Sequence, residues 1–131
     1  MSALFGIDAH NAETFLDRGV VCVDKTSEKE ALVLNTFRSI RAEDIIFIKD
    51  FTPQLGLQVN AAGVVLSVYP VESDSELCIP VEWVWRGKKV IEEFDEKCLH
   101  CGDPLYEEHN ITVQRAIIAL MPGKLQLPKE W

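Results

Sequence analysis

Ile40-Arg41-Ala42-Glu43-Asp44-Ile45-Ile46-Phe47-Ile48-Lys49 opens the stretch that decides the fold. A loop holding Pro53 and Gly56 follows, then Ala62-Gly63-Val64-Val65-Leu66-Ser67-Val68-Tyr69-Pro70. After an acidic break comes Ile79-Pro80-Val81-Glu82-Trp83-Val84-Trp85. Each run is rich in Val, Ile and aromatic residues and is bounded by turn residues. Such side chains suit a pleated, half-buried surface, so the pattern predicts three strands of one curled antiparallel sheet. Ile45 to Ile48 is apolar throughout, which predicts a strand covered on both faces. Leu57-Gln58-Val59-Asn60 alternates and reads as a short strand leading into Ala61. Gly63 marks a bulge or a close approach by another group.

The flanks supply helices, and the fold class is α+β. Asn11 to Gly19 reads as a short helix, with Asn11 as its cap and Gly19 taking the left-handed turn at its end. Val20 to Val23 follows as a strand. Ser27-Glu28-Lys29-Glu30 has capping-box spacing and predicts a helix from Glu28 to about Arg38. Arg86-Gly87-Lys88-Lys89 reads as a turn, and Val90 to Phe94 as either more sheet or a helix. Asn110 suits the cap of a helix from Ile111 to Leu120, although the β-branched Ile111-Thr112-Val113 fits a strand nearly as well.

A chain of 131 residues is expected to form one domain with a real core. The formal charge is −8, from 13 basic and 21 acidic residues. That balance argues against a sequence-blind coat for DNA, which needs clustered lysine and arginine. No apolar run approaches the roughly 20 residues that span a bilayer. The N-terminus lacks a basic segment followed by a long apolar core, so a cytoplasmic location is expected, with no membrane partner.

Of the four cysteines, Cys22 and Cys78 sit in apolar runs and read as small buried thiols, reduced in a cytosolic chain. Cys98-Leu99-His100-Cys101-Gly102 has the spacing of a metal knuckle. A structural zinc would need four ligands. Cys98, Cys101 and His109 are the candidate set, with His100, Cys78 or His10 as a fourth. A redox dithiol and two ordinary thiols are the other readings. No phosphate loop, nucleophile elbow or two-histidine zinc helix occurs, so no catalytic activity is expected.

Trp83 and Trp85 stand two apart on a predicted strand, which sends both indoles to one face. They form either part of the core or a stacking wall for a flat ligand. Asp44 is a turn residue or an acceptor for an exocyclic amine on a base edge. Arg41, Lys49, Arg86, Lys88 and Lys89 are the cations that could meet phosphate, and Arg86 to Lys89 lie next to the indoles. Phe51 and Tyr69, near strand ends, could border the same mouth.

In its order of pieces the chain resembles PUA-like domains, including the EVE-like modules of McrBC-type modification-dependent restriction systems. The resemblance rests on Phe15-Leu16-Asp17-Arg18-Gly19-Val20, on Ile40 to Lys49, on Ala61-Ala62-Gly63-Val64-Val65 and on Val81-Glu82-Trp83. It covers roughly Phe15 to Trp85. Two positions depart from the pattern: the family glycine before aspartate is Glu43, and an aromatic after Gly19-Val20 is Val21. The resemblance implies a small, partly open β-barrel flanked by helices. It also implies non-catalytic recognition of a modified nucleobase or nucleotide-like ligand in an aromatic pocket, with a partner protein supplying any nuclease or motor. On this reading the ligand-binding set is Trp83, Trp85, Asp44, Arg86 and Lys49. The rival expectation is an acidic adaptor or inhibitor that occupies the basic site of a nucleic-acid-processing enzyme.

Overall fold

A computed structural model of the chain describes residues 3–9, 12–24, 31–52, 56–67, 71–72, 76–91 and 105–121. The elements, in order, are β1 (Leu4–Asp8), α1 (Ala12–Arg18), β2 (Val20–Asp24), α2 (Ala31–Ser39) and β3 (Ile45–Thr52). They continue as β4 (Gly56–Val65), β5 (Val71–Glu72), β6 (Glu76–Ile91), β7 (Leu105–Glu107) and α3 (Ile111–Ala119). Six strands lie side by side in the order β2-β6-β4-β3-β1-β7, and β5 pairs with the first part of β6. The class is α+β, as expected, and the sheet is a strongly curled half-barrel.

The sheet is mixed rather than wholly antiparallel, because β1 runs parallel to β3 with Leu4 opposite Ile45. A parallel pair needs a long crossover, and α1, β2 and α2 provide it. The sequence pattern gives little sign of β1, whose short apolar run is broken by Gly6. α2 touches both β2 and β7, the two ends of the six-strand path. The ends therefore curl toward one helix, and the face turned to α1 and α2 is the concave one.

Apolar side chains cover both faces. On the concave side Phe5, Ile7, Ile46, Ile48, Ala61, Val65 and Val81 pack with Phe15 of α1 and Phe37 of α2. On the convex side Leu4, Ile45, Phe47, Leu57, Val59 and Ala62 pack with Val113, Ile117 and Ile118 of α3. Ile45 to Ile48 alternate between the two clusters and all are buried, as the unbroken apolar run predicts. Fully burying each such side chain is worth about 1.5–3 kcal/mol, so β3 is the spine of the fold. The helix ends also follow their local chemistry. Gly19 takes φ 65 after α1. Asn110 Oδ1 accepts from the Thr112 and Val113 amides at 2.9 and 3.2 Å. The proposed caps at Asn11 and Ser27 lie outside the described residues.

Two further sequence expectations change. Arg86-Gly87-Lys88-Lys89 is not a turn. It lies within β6, a single strand of 16 residues, and Val90 and Ile91 continue that strand. Gly87 owes its place there to Trp85, whose ring would lie 2.9 Å from a Cβ at that position. Cys22 and Cys78 are not separate thiols. They face one another in the β2–β6 register and form a disulfide. A separation of 56 positions hides that proximity in the sequence. Among the described residues no helix is long and apolar enough to cross a membrane.

The β4–β6 ladder carries the main irregularity. Gly63 pairs with Trp83 and Ala62 with Trp85, leaving Val84 as an extra residue on β6. A bulge of this kind turns the side chains that follow it to the other face. A Cβ on Gly63 would lie 2.6 Å from the Glu82 carbonyl oxygen and 2.7 Å from Val81 Cγ1. The backbone oxygen cannot swing aside, so the bulge closes only over a glycine. Gly63→Ala is expected to lower the unfolding free energy by about 2 kcal/mol, the range of overpacking in a filled core, measured by urea denaturation.

Candidate functional site

The bulge sorts the predicted site residues. Trp83 joins the concave cluster, whereas Val84 and Trp85 join the convex one. The two indoles therefore leave opposite faces and cannot make one wall, because an extra residue overrides simple alternation. Trp83 Nε1 donates to the Phe15 carbonyl at 3.0 Å, at the middle of α1. The ring thus links helix to sheet while staying half-buried. Trp85 is also half-buried and lies over Gly87.

Asp44 is buried and already engaged. Its Oδ1 accepts from the Ala3 amide at 3.1 Å and its Oδ2 from the Arg41 amide at 2.8 Å. The neighbouring backbone completes the knot: Glu43 N donates to Val65 O, Val65 N to Asp44 O, and Ile45 N to Ala3 O. The carboxylate thereby ties together the start of β1, the start of β3 and the end of β4. That is structural work, and it removes Asp44 from a base edge.

Lys49 is also drawn inward. Its side chain is 1% exposed, its Nζ lies 2.6 Å from Asp8 Oδ1, and it stands 5.2 Å from the centre of the Tyr106 ring. A cation packed this way lies on the convex side, away from Trp83, and is closed to a phosphate. Arg41, Arg86, Lys88 and Lys89 are exposed, and Phe51 packs half-buried against the convex cluster. Tyr69, Cys98, Cys101, His100 and His10 lie outside the described residues. His109 is exposed, 3.7 Å from Glu107 Oε2.

What the structure does bring together is a polar rim at one end of the concave face. Successive rows across β3, β4 and β6 are Ile46, Gly63 and Trp83; then Ile48, Ala61 and Arg86; then Asp50, Gln58 and Val90. Rows two residues apart along a strand are about 7 Å apart. Side chains in the first rows are buried or half-buried, whereas Asp50 and Arg86 are exposed. Asn60 is the extra residue of a bulge against β3, and against β6 it faces the two residues Gly87 and Lys88, so both ladders of β4 are irregular there. Gln58 Nε2 donates to Asn60 Oδ1 at 2.8 Å, which sets both half-buried carboxamides on the same face.

Each carboxamide offers both donors and acceptors. Their mutual bond consumes one of each, leaving Gln58 Oε1 and the Asn60 amide protons directed to other partners. Among the described residues neither takes part in another hydrogen bond. Gln58 and Asn60 escape the sequence reading because their alternation with Leu57 and Val59 looks like an ordinary solvent-facing edge. The signal that finds them is the bulge at Asn60.

No protein-family model matches this chain, and no curated protein matches it.

One backbone detail bears on the turn before β3. Glu43 has φ 73, the left-handed region that suits glycine and strains other L-residues. Its side chain is exposed. Replacing it with glycine relieves that strain without removing a packed contact. Glu43→Gly is expected to stabilise the protein by about 1 kcal/mol, read as a higher denaturant midpoint at unchanged slope.

Proposed function

We propose that this protein is a non-catalytic binding module of PUA-like character that takes a nucleobase, modified or not, at the concave rim. The observation that carries this reading is the half-buried Gln58–Asn60 carboxamide pair on the face shared with Trp83 and Arg86. Carboxamides read base edges by paired donor and acceptor contacts. The Trp83 indole, two rows along the same face, offers a stacking surface. The Arg86 guanidinium supplies a fork for phosphate in an otherwise acidic chain. The proposed ligand set is thus Trp83, Arg86, Gln58 and Asn60. Trp85, Asp44 and Lys49 serve packing and backbone support instead.

Glu43 adds support for the PUA-like reading. It occupies the place where the resembling family carries glycine, and its backbone takes the conformation that favours glycine. The curled sheet flanked by helices supports the partly open barrel that the resemblance implies, although the sheet is mixed.

Trp83 provides the signal for a direct test. Short single-stranded DNA and RNA oligonucleotides, with and without modified bases, are titrated while indole fluorescence is followed. A saturable change is expected with at least one of them. Gln58→Ala with Asn60→Ala should weaken that binding by about 10- to 100-fold, the loss of two hydrogen bonds to a base edge, while the fold persists. Full affinity in the double variant, or no response to any oligonucleotide, contradicts the proposal.

A further inference from the structure

The Cys22–Cys78 bridge carries a second ligand beside it. Cys22 lies on β2 and Cys78 directly opposite on β6. Glu76 is two residues before Cys78 on the same strand, so its side chain leaves on the same side. The Cys22 Sγ, the Cys78 Sγ and a Glu76 carboxylate oxygen all lie within 4.8 Å of one another. The cysteines are nearly buried, and Glu76 at the start of β6 is exposed, which leaves an approach from solvent. Cys78 and Glu76 lie at the other end of β6 from the concave rim.

We infer that reduction of this disulfide turns the group into a binding site for a thiophilic divalent cation, zinc being the representative. A thiol reductant donates two electrons: the S–S bond breaks, Cys22 and Cys78 each gain a proton, and the reductant becomes a disulfide. The freed sulfurs relax to non-bonded contact. Two thiolates on one tetrahedral zinc stand about 3.8 Å apart, so facing cross-strand cysteines need little backbone movement to share an ion. Zinc then displaces the two thiol protons, Glu76 gives an oxygen, and water fills the fourth position. Thiolate softness selects zinc over magnesium or calcium. A small-molecule disulfide accepts two electrons by thiol–disulfide exchange and leaves as two thiols, which re-forms the Cys22–Cys78 bond, removes both sulfur ligands and releases the ion, so occupancy follows the redox state of the chain.

Zinc binding to the whole chain is measured by competition with a chromophoric chelator, in a Cys98→Ser, Cys101→Ser background that removes the other cysteine pair. The protein is tested oxidised, and after reduction and anaerobic removal of the reductant. The reduced chain is expected to take up about one equivalent and the oxidised chain none, with reduced-state affinity rising with pH as thiols ionise. Cys22→Ser should weaken reduced-state binding by at least about 100-fold and Glu76→Gln by about 10-fold, as losses of direct ligands. Glu76→Gln leaves the disulfide in place, so its effect is read even if the cysteine variants fold poorly. Uptake below about 0.1 equivalent by the reduced chain overturns the inference. So does equal uptake by the oxidised chain, or unchanged affinity in Glu76→Gln.

Discussion

The close fit of Gly63 against the Glu82 carbonyl decides how this molecule is arranged. At that point β6 carries one residue more than β4, and the surplus is absorbed at Val84. Without the bulge, one strand of 16 residues would show the same alternation from end to end. With it, Trp83 faces α1 and Trp85 faces outward, so a single strand serves two cores. A second irregularity at Asn60, nearer the end of the same ladder, bends β4 again and gathers Gln58, Asn60 and Arg86 at the rim. Bulges increase local twist, and two in one ladder suit a sheet that must curl around α2.

Polar groups hold the curl at its other end. Asp44 accepts from the amide of Ala3, 41 residues away in the chain, and from that of Arg41, three residues away. A buried carboxylate satisfied by backbone donors is costly to replace, since its loss leaves those donors unpaired. The Cys22–Cys78 bridge clamps β2 onto β6 on the far side of the bulge. The rim lies at the opposite end of β3, β4 and β6 from both supports, where half-buried polar side chains meet solvent.

Much of this was legible in the residues. The apolar run at Ile45 to Ile48 gave a strand covered on both faces, and Gly19 and Asn110 marked helix ends by their own chemistry. Gly63 was legible as a bulge or a close approach, and it is both. Other features depend on contacts that local pattern does not contain. Arg86-Gly87-Lys88-Lys89 has turn composition, yet cross-strand pairing with β4 keeps it extended. The Val84 bulge leaves no trace in Val-Glu-Trp-Val-Trp, because an extra residue is visible only against the partner strand. The pairing of Cys22 with Cys78 spans 56 residues, beyond any local signal. At the site, Trp83 and Arg86 stood out by residue type, whereas Gln58 and Asn60 looked like ordinary edge positions.

The division of the two indoles between opposite faces is the claim on which the site assignment turns. Nuclear Overhauser contacts from the indole protons of isotope-labelled protein test it directly. The account predicts contacts from the Trp83 ring to Phe15 and Leu16 of α1, and from the Trp85 ring to Gly87 and Ala62, with no residue of α1 near Trp85. Contacts from both rings to the same set of α1 side chains would contradict it.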